Sequence, residues 1–511
     1  TRHTPALAQH FADSVQAVSD GSGFSFSPDP ARVLQVSSDR GSFHLAEEWS
    51  LGIEHDLDRE RGQAGSGDAF SPGWFDLPLS DAAPVTLCLS LGAAPSSAVI
   101  EAALAGGSDQ AADPVEALLR RAAEQFIAVR GTGHTVIAGF PWFLDWGRDT
   151  FVAARGLIEA GHHDHVRSML LTYAALERKG TLPNHLAGVG EGSRETSDAP
   201  LWFSLACEEL AHKVGGELYE ARASDGRSLR QVLTSIAEQL IHGAPNGVRI
   251  DPESGLVYSP SHFTWMDTNY PAGSPREGYP IELAAMWLRL LQQLERLGTG
   301  ALAGVAVGDW AARARAGLQL FWREDLGFFA DTLHAERNAG ARNARADDHL
   351  RPNQLLAVSL GVVDGARARS AVMAAARHLL VPGAMRTLAP LPVQYALPIR
   401  GQNGLLNDPS SPYWGRYEGD EDTRRKPAYH NGTAWPWWLT TYCEALVKAY
   451  DGDASARRAA RAILGSSVRL LSQGCLGQLP EVIDGDAPHR ERGCDAQAWS
   501  VTEVLRGWLV L

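Results

Sequence analysis

From Val115 to the C-terminus, apolar residues recur at helical spacing in one segment after another, with no strand-like run between them that could build a parallel sheet. The clearest segment is Val115–Arg130, where Leu118, Leu119, Ala122, Phe126 and Val129 form one apolar stripe. Twelve helices are expected, starting near 115, 150, 164, 198, 227, 280, 306, 352, 366, 432, 454 and 495. That number constrains the fold, because six helical hairpins can close into a double-walled (α/α)6 barrel, one ring of helices inside another. The unusual residues concentrate in the connections Phe140–Thr150, Pro183–Asp198, Phe263–Glu282, Arg351–Gln354, Ala428–Trp438 and Gly477–Trp499. These follow the odd-numbered helices and so share one end of such a barrel, where loops on a rigid scaffold commonly carry function.

Residues 1–110 read differently. Short alternating runs such as Phe24–Ser27, Val33–Val36 and Pro84–Leu91 have strand period and turn-rich borders. A smaller β-sandwich-like domain over 1–110 is therefore expected, then a Gly/Ser/Asp/Pro linker over 106–114, then the barrel over 111–511. With 46 Lys and Arg against 60 Asp and Glu, the net charge is −14, which repels phosphate backbones and excludes nucleic acid as a partner. No apolar run reaches eighteen residues and no basic-plus-apolar leader is visible, so neither a membrane span nor a signal peptide is expected and the cytoplasm is the default compartment. The chain starts at Thr1 rather than Met, so residues upstream can be missing. Five scattered Cys offer neither a disulfide framework nor a zinc-ligand spacing. His162, His163 and His165 with Asp164 read as a helix start, and neither a metal nor another cofactor is expected.

The mouth connections hold residues suited to a polyhydroxylated substrate. Fifteen Trp supply flat apolar faces for sugar C–H surfaces, although any one of them can equally be core. Trp146, Arg148 and Asp149 combine a stacking face with groups that fork onto vicinal hydroxyls; the alternative is an Asp149 N-cap paired with Arg148. Asp267 follows Trp265 and Met266, an apolar setting that raises a carboxyl pKa and suits a general acid; the alternative is a turn Asp bonded to its own backbone. Glu481 lies between Pro480 and two β-branched residues, an odd place for a merely solvated charge, whereas Asp484 beside Gly485 reads as turn chemistry. Two carboxylates at one barrel mouth are what glycoside hydrolysis requires. His430 reads as a proton shuttle, a hydroxyl ligand or a packed loop histidine.

On PWFLDWGRDT from Pro141, TWMD from Thr264, PREGYPIE from Pro275, RPNQ from Arg351, YHNGTAWPW from Tyr429, and LPE with GCDAQAWSV between Leu479 and Val501, the chain resembles the glucosidase part of glycogen debranching enzymes, the amylo-α-1,6-glucosidases of glycoside hydrolase family 133. The segment from Glu54 to Gly62 and Ser71–Gly73 also resembles the end of the β domain that precedes the barrel in bacterial and archaeal members, and it is shorter here. The resemblance implies an inverting hydrolase that releases glucose from α-1,6 branch points of glycogen-like or maltooligosaccharide substrates. It implies Asp267 as general acid and Glu481 as general base, 481 − 267 = 214 residues apart. It also implies that Trp146, Arg148, Asp149, Asp198, Trp265, Arg276, His430, Gln497 and Trp499 line the subsite for the non-reducing glucose. One departure is Arg194-Glu195, where the family often has Tyr-Asn shortly before the Asp equivalent to Asp198. Two alternatives stay open: another (α/α)6 α-glucosidase with a different linkage, and a non-catalytic glucan-binding protein that keeps the aromatic mouth. The partner in each case is an α-glucan or oligosaccharide, and the sequence is silent on oligomeric state.

Overall fold

The computed structural model describes residues 16–29, 32–60, 64–80, 85–91, 113–186, 192–269 and 273–511. The chain divides into two compact units, Thr1–Gln110 and Ala111–Leu511. Most of the expected linker, up to residue 112, lies outside the described residues.

Among its described residues the first unit holds six strands: β1 (Gln16–Ser19), β2 (Gly23–Asp29), β3 (Arg32–Ser38), β4 (Ser42–Glu54), β5 (Ser66–Asp76) and β6 (Leu87–Leu91). They form a four-stranded antiparallel sheet in the order β1-β2-β3-β6 and a long β4–β5 hairpin. The Phe-Ser-Phe-Ser alternation puts Phe24 and Phe26 on one face of β2. There Phe24 meets Phe43 at 4.8 Å and Phe75 at 6.2 Å, and Phe26 stacks on Phe70 at 5.5 Å, so an aromatic layer joins the two sheets.

The second unit has twelve α-helices of six or more residues among its described residues. They are α1 (Pro114–Glu124), α2 (Gly147–Glu159), α3 (His163–Ala175), α4 (Ala199–Val214), α5 (Leu229–His242), α6 (Ile281–Arg296), α7 (Val307–Leu318), α8 (Gln354–Ser359), α9 (Gly365–His378), α10 (Trp438–Ala449), α11 (Ala454–Gly465) and α12 (Ala498–Val510). Each even-numbered helix packs on the next, and α12 returns to α2, so six helices close a ring. The odd-numbered helices pack outside it: α1 on α12, α3 on α2 and α4, α5 and α7 on α6, α9 on α8 and α10, and α11 on α10 and α12.

Burial explains which helices are inside. The outer α11 buries Ala456, Ala460 and Leu464, one stripe at a four-residue repeat, and leaves its arginines to solvent. The inner α2 is buried on every side from Gly147 to Ile158. At Gly156 an added Cβ would lie 2.0 Å from the Thr502 carbonyl oxygen, so α2 and α12 touch backbone to backbone there.

The ends differ as well. Asp113 caps α1, Ser228 and Gln231 form a capping box on α5, and Asp453 caps α11. None of the six inner helices is capped by the side chain of its N-cap residue; the first N–H of α2, α6 and α12 instead donates to a backbone carbonyl of another connection, Asn184, Asp331 and Ala138 at 2.9, 3.1 and 2.9 Å, so the positive ends of these dipoles lie among the connections that the sequence marks as unusual. Small antiparallel sheets, not foreseen from the sequence, tie those connections together. Gly139–Phe140 pairs with Ala496–Gln497, joining the first connection to the last. A five-stranded sheet runs Leu380–Val381, Ala384–Arg386, Ala434–Trp435, Val482–Ile483, Glu491–Arg492. Among the described residues no helix is long and apolar enough to cross a membrane.

Candidate active site

The connections leading into α2, α6, α10 and α12, with the first turns of α2 and α12, surround a cavity of about 230 Å³ lined by Phe143, Trp146, Arg148, Asp149, Trp265, Asp267, Tyr429, Trp435, Glu481, Gln497 and Trp499. Its floor is a cluster of indoles: Trp265 meets Trp435 and Trp437 edge-on, both at 5.3 Å, and Trp437 stacks on Trp499 at 5.1 Å.

Asp267 faces this space, its side chain 35% exposed, while Asp198 behind it is fully buried. Arg148 links the two. Its Nε donates to Asp198 Oδ2 at 2.7 Å and its Nη1 to Asp267 Oδ2 at 3.1 Å. Arg148 therefore spends its fork on two acids of the protein and positions Asp267, which leaves it little to offer substrate hydroxyls. Burial pushes the Asp267 carboxyl above its ordinary pKa, and Arg148 pulls in the opposite direction without cancelling the effect. Asp149 is not an N-cap: the cap position of α2 is Trp146, and no side chain caps it. Asp149 instead turns into the cavity, where its Oδ1 accepts from Gln497 Nε2 at 3.3 Å. Burial, reinforced by Asp267 and Glu481 against the pull of Arg148, pushes its pKa up to about 8.

Glu481 is 4% exposed and is held at both oxygens. Tyr429 Oη donates to Oε1, and the Cys494 backbone N–H donates to Oε2 at 2.9 Å. Tyr429 stays protonated and available as a donor, because burial first and Glu481 second raise its pKa well above 10. The glycine before Cys494 makes the close approach possible: Gly493 has φ +66°, and an added Cβ would lie 2.3 Å from Glu481 Oε2. Asp484 does more than turn chemistry. Fully buried, it accepts from Tyr417 N at 2.9 Å and pairs with Arg492 at 3.2 Å, which anchors the loop that carries Glu481.

Of the subsite residues expected from the sequence, Trp146, Arg148, Asp149, Trp265, Gln497 and Trp499 line the cavity together with both carboxylates. Asp198, Arg276 and His430 do not; each lies behind the wall. Asp198 is consumed by Arg148. Arg276 reaches Asp331 Oδ2 at 2.7 Å and Glu282 Oε1 at 2.6 Å, an ion cluster that a buried guanidinium requires. It sits behind Trp265, whose Nε1 donates to Asn353 Oδ1 at 2.8 Å, and Asn353 donates in turn to Asp331 Oδ1 at 2.7 Å. His430 is the packed loop histidine: its Nδ1 meets Thr268 Oγ1 at 2.7 Å, and its ring lies against Trp435. Burial, then Arg351, depresses its pKa well below 6.5, which keeps it neutral and unsuited to proton shuttling near neutrality.

Phe143, Tyr429 and Trp435 line the cavity without having been singled out. Tyr429 and Trp435 belong to the aromatic YHNGTAWPW stretch, but which of its rings faces inward depends on the Ala434–Trp435 strand pairing with Arg386 and Ile483. Arg194 and Glu195 are also outside the cavity: Arg194 donates to the Thr181 and Leu176 carbonyls at 2.9 and 2.7 Å, and Glu195 is exposed. Near the start of α3, His163 Nε2 lies 3.1 Å from the Ile158 carbonyl oxygen.

Residues 121–506 match the family model described as amylo-alpha-1,6-glucosidase, and residues 2–86 match that of the glycogen debranching enzyme N terminal. A glycogen debranching enzyme of Saccharomyces cerevisiae is 22% identical over 400 residues, which is 61% of this chain and 25% of that protein. The chain thus spans about a quarter of the length of this curated relative. Among solved structures, an uncharacterized conserved protein from Thermus thermophilus superposes with a TM-score of 0.51 at 15% identity, covering 77% of this chain and 99% of that one. A bacterial glucoamylase complexed with acarbose gives 0.50 at 12% identity, covering 97% and 74%. A GH63 mannosylglycerate hydrolase from Thermus thermophilus in complex with glucose gives 0.50 at 15%, covering 77% and 99%. At these identities the likeness to the solved structures is one of fold.

Proposed function

Because the chain belongs to the amylo-α-1,6-glucosidase family, we propose that its second unit is an (α/α)6 barrel that hydrolyses α-1,6-glucosidic bonds at branch points of glycogen-like or maltooligosaccharide substrates and releases glucose with inversion. One observation carries the reading: Asp267 and Glu481, far apart in the chain, enter one aromatic-walled cavity. The closed ring of six helices with six outside it supports the barrel.

Asp267 acts as the general acid. Its Oδ2 accepts from Arg148, so the proton sits on Oδ1, the oxygen free to reach the leaving glycosidic oxygen. Glu481 acts as the general base. Donors on both oxygens, the Tyr429 hydroxyl and the Cys494 N–H among them, fix the carboxylate and hold it ionised to take a proton from water. Inversion then requires the two groups to be roughly 6.5–9.5 Å apart, with that water on the far side of the anomeric carbon. Trp146 and Trp499 supply stacking faces, and Asp149 and Gln497 supply hydrogen bonds to hydroxyls. A second reading comes from Asp149, whose raised pKa makes it an alternative proton donor in the same cavity.

α-Glucosyl fluoride separates the two, because fluoride leaves without protonation. If Asp267 is the acid, Asp267→Asn loses hydrolysis of α-1,6 glucosides and keeps that of the fluoride, whereas Asp149→Asn impairs both. The opposite pattern transfers the role to Asp149. Glucose release from α-1,6 branched dextrins and from linear α-1,4 maltooligosaccharides tests the linkage, and binding without release would mark a glucan-binding protein. Proton NMR in the first minutes should show β-glucose; initial α-glucose would sink the inverting mechanism.

A further inference from the structure

A second cluster of chemistry lies at the end of the small antiparallel sheet Gly278–Pro280, Thr332–His334, Arg345–Ala346. His334 ends the middle strand, Asp347 follows the last strand, and His349 comes two residues later. Asp347 Oδ2 is 3.2 Å from His334 Nε2 and 3.4 Å from His349 Nδ1, and the three atoms all lie within 4.8 Å of one another. A tetrahedral ion bound at about 2.0–2.2 Å holds its N and O ligands at roughly this mutual spacing. Asp347 and His349 are buried, while the His334 side chain is 14% exposed, which gives an ion a way in.

The hydrogen-bond pattern leaves a position for a cation. His349 Nε2 is 2.7 Å from the Tyr395 carbonyl oxygen. A carbonyl only accepts, so Nε2 carries the hydrogen, and the neutral ring turns the lone pair of Nδ1 toward Asp347 Oδ2. Two acceptors facing each other away from water repel unless a cation lies between them. The carboxylate is itself held by the Asp331 N–H on Oδ1 at 2.8 Å and the Thr332 N–H on Oδ2 at 3.2 Å. A backbone carbonyl behind the histidine and amides behind the carboxylate are the outer partners that ligands of bound metals commonly have.

We propose that His334 Nε2, Asp347 Oδ2 and His349 Nδ1 bind one divalent transition-metal ion, Zn²⁺ by the chemistry of the donors, with water completing the coordination. The ion is a clamp. It joins the middle strand to the segment leading into α8, and through Tyr395, stacked on His334 at 4.3 Å, to the chain beyond α9. The Asp331 amide bonded to Asp347 belongs to the residue whose carboxylate receives Arg276 and Asn353, the support behind Trp265. The clamp therefore steadies one wall of the cavity while touching no substrate.

The test is metal uptake by the full chain. After EDTA treatment, wild type titrated with Co²⁺ should bind one equivalent with visible d–d absorption, Zn²⁺ should displace it, and Zn²⁺ should raise the melting temperature. His334→Gln, at the partly exposed ligand, should keep the circular dichroism of wild type and bind Co²⁺ more than ~10-fold more weakly, since loss of even an outer partner costs 10–100-fold. Absence of saturable Co²⁺ and Zn²⁺ uptake by folded wild type would overturn the proposal, as a His349 protonated on both nitrogens predicts. Equal uptake by wild type, His334→Gln and Asp347→Asn would overturn it too.

Discussion

Gly493→Ala tests whether the placement of Glu481 drives the chemistry. The new Cβ would stand 2.3 Å from Glu481 Oε2, so the carboxylate must retreat by 3.0 − 2.3 = 0.7 Å to reach the tightest contact a Cβ makes and by 3.4 − 2.3 = 1.1 Å to reach ordinary van der Waals contact. The retreat stretches the bond from the Cys494 N–H, now 2.9 Å, and shifts the water the carboxylate would hold. A displacement of about 1 Å at a reacting group costs on the order of 10²-fold in rate. The folding cost is smaller: φ is +66° at this position, and a left-handed residue bearing a Cβ costs about 1–2 kcal/mol. The expectation is a kcat near one hundredth of wild type, a KM within a few-fold, and a native melt lowered by a few degrees. Steady-state glucose release, read beside thermal unfolding, separates the effects. A folded Gly493→Ala enzyme with normal kcat would refute the geometric argument and the base role of Glu481 together.

Asp267→Asn and Glu481→Gln should each lower kcat on glucosides by about 10²–10⁴-fold with melting temperatures near wild type, measured by glucose release and calorimetry. Trp146→Ala should raise KM by about 2–10-fold at little cost to kcat, the worth of one aromatic face; unchanged KM would remove Trp146 from substrate contact. Asp149 has a folded pKa of about 8 against an ordinary value of 3.8, so the folded protein holds a proton that the unfolded chain releases. Its contribution to stability is complete below about pH 3.8 and declines as pH rises toward 8, so urea melts of wild type should weaken across that window relative to Asp149→Asn, and parallel pH profiles would contradict the shift. Asp453→Ala removes the cap that accepts from Ser455 N at 2.8 Å on the outer α11; it should cost ~1 kcal/mol of stability and leave kcat unchanged.

Much of the scaffold is legible in the sequence because helical periodicity is a local property. Eleven helices start within three residues of the expected positions, and the tenth, expected near 432, starts at Trp438 because Ala434–Trp435 is drawn into the five-stranded sheet. That pairing joins segments distant in the chain and leaves no local signature. The concentration of Trp, Asp and Arg in alternate connections likewise marked which end of the helices to watch, and both Asp267 and Glu481 reach the cavity there.

What a residue at that mouth does is another matter. Arg148 and Arg276 look equivalent in sequence, each beside an acid. Yet Arg148 opens onto the cavity and holds Asp267, whereas Arg276 is spent on Glu282 and Asp331 behind the Trp265 wall. Tyr429 reads as one aromatic among many, until the last connection brings Glu481 under its hydroxyl. His334, Asp347 and His349 carry no signal until two turns of chain fold one strand against the next. Apolar spacing within each segment decides which face it buries, and so the helices, their order and the connections that carry polar and aromatic groups are all written locally. Which acid is held by which donor, which carboxyl keeps a proton and which side chains share a cavity were decided only by tertiary packing. Those depend on burial and on charge partners tens to hundreds of residues away, which exist only once the ring has closed.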